Sequence, residues 1–149
     1  MRPTYRHLEA DAAGLRASFE LIRVLRPHLP SAEAFVAQVA RQAQHGYRLL
    51  AVLEGDTAVG LAGYRETENL IYGRMLYVDD LVVSAALQGS GVGARLLGAV
   101  REQARLRGCT HLVLDTGLHM ALAQRFYFRQ GLLARGMHFV EPLGDEVRS

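Results

Sequence analysis

The sequence predicts an α/β (α+β) fold. The expected core is a mixed, mostly antiparallel central sheet of about 6–7 strands, with helices on both faces and one β-α-β crossover that carries a glycine turn. Three observations predict it. Strand-like segments at 47–53 and 57–66 flank the turn residues Glu54-Gly55-Asp56, as in an antiparallel hairpin. A later strand at 74–83 runs into three alternating glycines and then a helical pattern. The run at 111–115 is continuously apolar in its middle, as in a parallel strand buried on both faces.

Each element follows in order. Residues 4–8 read as a first strand. From Asp11, a predicted N-cap, apolar residues recur at Leu15, Phe19, Ile22 and Leu25, and Pro27 stops that helix in the stiff stretch Arg26-Pro27-His28-Leu29-Pro30. Ser31 caps a second helix whose inner stripe is Phe35, Val36, Val39, Ala40 and Ala43, ended by Gly46. Gly60 and Gly63 inside the second hairpin strand point to a bulge or a close backbone approach. Glu66 to Asn69 read as a polar loop. After the strand at 74–83, a helix carries Val92, Leu96, Val100 and Ala104 on one face and closes at Gly108. A helix at 119–130 and a last strand at 133–140 complete the pattern, with a loose tail from about 144. No repeat or linker interrupts it, so residues 1–149 read as one domain.

Composition narrows the chemistry. With 149 residues, 50% hydrophobic and 21% charged, the chain has globular make-up. All 17 basic residues are arginine, which excludes a Walker A loop and a lysine Schiff base. The net charge of +2 gives no nucleic-acid footprint, no apolar stretch is long enough to span a membrane, and no apolar leader follows Met1. A cytoplasmic protein is therefore expected. Cys109 reads as a buried, inert thiol, and the six histidines show no metal-ligand spacing, so no metal is expected.

The most informative stretch is Leu81-Val82-Val83, followed after five residues by Gly89-Ser90-Gly91-Val92-Gly93-Ala94. Glycines there let the backbone approach a ligand, and a helix start supplies unpaired amides and partial positive charge. Such a turn suits a phosphate or diphosphate. Gly89, Gly91 and Ala94 also satisfy a dinucleotide fingerprint, with Asp115 ending the next strand. Two features oppose that reading: the five-residue gap after the strand, and a position past the midpoint that leaves no room for a second half-sheet. Ser90 is no nucleophile elbow, because Gln88 and Val92 stand where glycines are required.

The segment Gln88-Gly89-Ser90-Gly91-Val92-Gly93 resembles the Q/R-x-x-G-x-G/A motif of the GNAT superfamily of N-acetyltransferases. Residues 123–132, with Tyr127 and Gly131, resemble that family's A-x-x-x-Y-x-x-x-G-F block. The resemblance implies acetyl-CoA as co-substrate. Its diphosphate would lie on Gln88, Gly89, Ser90, Gly91, Val92, Gly93 and Ala94, and its pantetheine arm along Leu81, Val82 and Val83. The resemblance also implies Tyr127 as general acid at the sulfur, and a backbone N–H near Val83 as oxyanion donor. Where the family commonly has a pantetheine-binding Asn, this chain has Met120, with His119 beside it.

Transfer of an acetyl group to a primary amine needs a proton acceptor, a stabilised oxyanion and a proton donor to the leaving thiolate. Direct attack needs no covalent intermediate, and no Ser-His-Asp or Cys-His arrangement stands out. Asp79 and Asp80 interrupt an apolar strand, so they are read as the catalytic base pair facing a cleft, or as strand-edge or bulge carboxylates tied to Arg74 or Arg65. Glu66 and Glu68 are expected beside that cleft or as solvated loop residues. The first two helices are expected to shape the choice of amine. The alternative function is a catalytically silent acyl-CoA-binding module, which Met120 keeps open. A homodimer is compatible with the resemblance; nucleic-acid and membrane partners are not expected.

Overall fold

In a computed structural model, residues 2–144 are described. Helix α1 (Ala12–Leu25) starts where Asp11 accepts the amide of Gly14, and α2 (Ala32–Ala43) where Ser31 accepts that of Ala34. The strands are β1 (Thr4–His7), β2 (Tyr47–Glu54), β3 (Thr57–Asn69), β4 (Gly73–Val83) and β5 (His111–Leu114), with α3 (Val92–Leu106) joining the last two and α4 (Ala121–Arg129) following. Among the described residues the sheet has five strands in the order β1-β2-β3-β4-β5. All neighbours are antiparallel except β4 and β5, which α3 connects as the expected crossover.

The chain divides into two compact units, Met1–Leu114 and Asp115–Ser149. In the first, Leu15, Phe19 and Ile22 of α1 and Phe35 and Val39 of α2 pack with Leu49, Ala51 and Leu61 on one sheet face. Leu96, Val100 and Ala104 of α3 pack with Val52, Ala62, Leu76 and Val78 on the other. The period-2 alternation of β2 is thus split between two cores, which is why the strand is buried along nearly its whole length. In the second unit, Gln124 donates to the carbonyls of Gly117 and Leu118 ahead of α4, His138 pairs with Asp115, and Gly131 (φ +89°) terminates the helix.

Several expectations are corrected. Five strands form rather than 6–7, because residues 133–140 adopt no strand among the described residues. Leu133, Met137, Phe139 and Val140 are instead exposed. Glu66 and Glu68 lie inside β3, opposite Leu76 and Arg74, since the β3–β4 ladder continues to Asn69 and Gly73. The turn there is closed by Asn69 Oδ1 accepting the amides of Ile71 and Tyr72, with Gly73 at φ +71°. A short 3₁₀ turn, Ala85–Leu87, fills the gap before the glycines. As the edge strand, β5 is only partly buried, and Cys109 is half-buried with its thiol pKa pushed up by burial.

Candidate active site

The glycine turn has the backbone its sequence requires. Gly89 (φ +84°) and Gly91 (φ +91°) are left-handed, a conformation costly for residues with a Cβ. Gly93 lies within α3. Gly91 is the N-cap of α3 and has no side chain to offer, so among the described residues no capping side chain occupies the opening amides at Val92, Gly93 and Ala94. Gln88, Gly89, Ser90 and Gly91 are exposed.

The strand leading to the turn has a second row of donors. Pairing of β5 with β4 covers only Met75 to Val78. On the β3 side the amide of Ser84 bonds the carbonyl of Val59, opposite it in the ladder. The antiparallel alternation therefore turns Val82 toward β3, and the N–H and C=O of Leu81 and Val83 toward the edge that β5 has left. Among the described residues, the Leu81 and Val83 amides of this edge and an uncapped helix start thus lie either side of one short turn, with Gln88 Nε2 donating to the Val83 carbonyl at 3.5 Å.

Between Gly63 and Tyr64 the β3–β4 register shifts: Asp80 faces Gly63 and Val78 faces Tyr64, leaving Asp79 as the extra residue of a bulge. Arg65 donates to both oxygens of Asp79 at 3.1 to 3.3 Å. Asp80 accepts Arg26 Nε at 2.9 Å and the Tyr47 hydroxyl at 2.7 Å, while Arg26 Nη2 donates to the Asp79 carbonyl at 2.7 Å. Burial pushes the pKa of Asp79 up against the opposing pull of Arg65. That of Tyr47 is raised well above its ordinary value, by burial and then by Asp80.

A cavity of about 300 Å³ opens over the bulge. Its floor is Tyr47, Asp79 and Asp80; Ile22 and Arg26 of α1 and Phe35, Gln38, Val39 and Gln42 of α2 form walls, and His28 and Leu29 complete it from the connector. Its size is at the lower end for small-molecule sites, which run from about 300 to 1,000 Å³. Arg74 does not pair with either aspartate; it and Arg107 hold Glu66. Among the described residues, no group of three His, Cys, Asp or Glu side chains is arranged to hold a metal ion. No helix among them is long and apolar enough to cross a membrane.

In the second unit, Tyr127 stands in the middle of α4, stacked edge-on against Phe126 at 5.3 Å between ring centres. Burial raises its phenol pKa. Phe128 is largely exposed.

The sequence model of the Acetyltransferase (GNAT) family matches residues 15–132, most of the chain. The chain belongs to the GNAT acetyltransferase family. An IAA acetyltransferase of Azospirillum brasilense is 28% identical over 117 residues, covering 78% of this chain and 74% of that protein. Glucosamine 6-phosphate N-acetyltransferase 1 of Oryza sativa subsp. japonica is 33% identical over 119 residues, covering 74% and 72%. The solved structure of the aminoglycoside N-acetyltransferase AAC(6')-Iy in complex with CoA shares the fold, with a TM-score of 0.83 over 96% of each chain at 17% identity. As a GNAT member the protein is an N-acetyltransferase.

Within the first unit of this GNAT chain, Leu81 to Val83, Gln88 to Ala94 and the pair Asp79–Asp80 fall along one continuous strand, turn and helix start. Sequence reasoning missed Arg26 and Tyr47 as partners of that pair. The only local hint was an arginine immediately before the helix-stopping Pro27, since the partners are 54 and 33 residues away in sequence.

Proposed function

We propose that the protein transfers an acetyl group from acetyl-CoA to a primary amine by direct attack in a ternary complex. The observation that carries this reading is the start of α3, uncapped among the described residues, behind two left-handed glycines and beside the edge of β4 beyond its pairing with β5. Those features fit a diphosphate followed by an extended amide-bearing arm: backbone amides of Gly89 and of Gly91 to Ala94 for the first, the Ser90 amide being bonded to the Leu87 carbonyl, and the backbone of Leu81 to Val83 for the second. Gln88, Ser90 and Val82 border the same path. Bound acetyl-CoA supplies an acetyl group activated as a thioester.

The residues then have separate tasks. The cavity under α1 and α2 receives the amine, and the Asp79–Asp80 pair takes its proton, directly or through water. The amine nitrogen bonds to the acetyl carbon as the carbon–sulfur bond breaks. A backbone N–H near Val83 donates to the carbonyl oxygen as it gains charge. Tyr127, kept protonated by burial, gives its proton to the departing sulfur. The family match spans residues of both units, which supports one acetyltransferase domain over 1–149. The exposed Leu133, Met137, Phe139 and Val140 support a homodimer in which they are covered. A cytoplasmic site of action, with no metal, nucleic acid or membrane partner, completes the reading.

A thiol-release assay with acetyl-CoA over a panel of small amines tests it, alongside calorimetric titration with CoA and NAD. Release with at least one amine, with binding of CoA and not NAD, is the expected result. CoA binding without turnover on any amine would favour the silent acyl-CoA-binding module. NAD binding without CoA binding would refute both.

A further inference from the structure

We infer that the adjacent aspartates divide the work: Asp79 takes the acceptor's proton, whereas Asp80 is a positioning residue locked by Tyr47 and Arg26. The inference rests on the acetyltransferase reading above and resolves which carboxylate of the pair acts.

Asp80 is clamped by two separate partners. One oxygen accepts Arg26 Nε and the other the Tyr47 hydroxyl, and its side chain is only 14% exposed. Both bonds are to an ion and short, each worth more than a neutral hydrogen bond. The lock is built into three distant parts of the chain. Tyr47 starts β2 and is 4% exposed; Arg26 ends α1. Gly63 faces Asp80 across the ladder, and a Cβ there would overlap the Tyr47 hydroxyl and come within 2.8 Å of Asp80 Oδ2. A glycine is therefore required for the lock to close. Arg26 also grips the Asp79 carbonyl, so the same residue fixes the backbone of the bulge.

Asp79 differs in its place on the strand and in the length of its bonds. It is the extra residue of the bulge, so its side chain is freed from the strand's alternation. Among the described residues its side-chain partner is Arg65 alone, which binds both oxygens at 3.1 to 3.3 Å, longer than the 2.7 and 2.9 Å bonds on Asp80. A carboxylate with a single, longer-range partner, lining the cavity, exchanges that partner for an incoming ammonium or water. The groups that face it are Arg65 from β3, Arg26 from α1, Tyr47 from β2 and Asp80 alongside; His28 lines the same cavity from the connector. Chemically, the proton leaves the attacking nitrogen for an Asp79 oxygen, and the nitrogen lone pair forms the new bond to the acetyl carbon.

The test compares Asp79→Asn, Asp80→Asn and Tyr47→Phe with the wild type. Thiol release is followed against pH with an accepted amine, and the aspartate carboxyl carbons of the donor-free protein are titrated by NMR. Asp79→Asn should lower kcat by roughly 10²–10⁴-fold and abolish the acid limb of kcat/KM. Asp80→Asn and Tyr47→Phe should keep that limb and instead raise KM for the amine by roughly 10-fold, the loss of one charged hydrogen bond. If Asp80→Asn fails to fold, Tyr47→Phe alone decides between the two outcomes. Loss of the acid limb in Asp80→Asn or Tyr47→Phe, with its retention in Asp79→Asn, overturns the assignment. Should the wild type acetylate no amine, the acetyltransferase reading fails, and the NMR titration still tests the division. The division then requires Asp79 to titrate above the ordinary carboxylate value and Tyr47→Phe to move the Asp80 resonance. A perturbation confined to Asp79 contradicts it.

Discussion

Replacing Gly63 with alanine is the sharpest test of how the site is built. In an ordinary strand the change is favourable by roughly 0.5–1 kcal/mol, because glycine loses the most entropy on folding. Here the added Cβ would overlap the Tyr47 hydroxyl oxygen and lie 2.5 Å from its Cζ, so one of them must move. Tyr47 is buried and cannot swing aside freely. Overpacking of this kind costs about 1–3 kcal/mol. Displacing the hydroxyl also forfeits its 2.7 Å bond to Asp80, about 1.5–3 kcal/mol for a bond to a charged group. The net expectation is a loss of about 2–5 kcal/mol after the glycine gain is subtracted. Urea denaturation of Gly63→Ala, Tyr47→Phe and the double variant reads it. The double variant should be destabilised by less than the sum of the singles, by about 0.5–3 kcal/mol, because both disrupt one contact. A neutral or stabilised Gly63→Ala would refute the reasoning.

Two further predictions concern the proton donor and acid stability. Tyr127→Phe should slow turnover by roughly 10²–10⁴-fold and leave CoA affinity nearly unchanged; wild-type turnover in steady-state assays would show that Tyr127 is not the acid. Burial, then Arg48, holds the pKa of His7 below its ordinary value of 6.5 where it bonds the Tyr64 hydroxyl, so the unfolded chain takes up the proton first. The stability it contributes is present above about pH 6.5 and is lost as pH falls through the folded pKa. Burial pushes the pKa of Glu9 up, but the amides of Glu9 and Leu49 and the Arg48 guanidinium outweigh it. Its net lowering adds a loss at still lower pH, through the carboxylate range. Melting temperature should therefore drop between pH 7 and pH 5, and His7→Gln should flatten that step; a melting temperature that rises on acidification contradicts the sign.

The parts legible in the sequence are those written in local chemistry. Asp11 and Ser31 name their helix starts, and the spacings of Leu15, Phe19 and Ile22 and of Val92, Leu96 and Val100 name the buried faces, because caps and amphipathic periods act within a few residues. Gly89 and Gly91 announce a backbone that other residues avoid. Gly63 was legible as a close approach, though not what approaches it. The pairing of Asp79 with Arg65 was within reach of local reasoning, since both lie on one hairpin, but Arg74 goes to Glu66 instead. The polar run from Glu66 to Asn69 reads as loop by composition, yet ladder bonds to β4 extend it as strand. At 133–140 the apolar residues spell a strand that finds no neighbour among the described residues. Strand identity depends on a partner that periodicity cannot supply.

If main-chain amides, rather than side chains, hold the donor, their resonances must respond to it. Two-dimensional amide NMR of ¹⁵N-labelled protein during a CoA titration tests it most directly. The largest saturable shifts should fall on the amides of Gly89 to Ala94 and on Leu81 and Val83. Shifts confined to other parts of the chain, or none at CoA concentrations that saturate turnover, would contradict it.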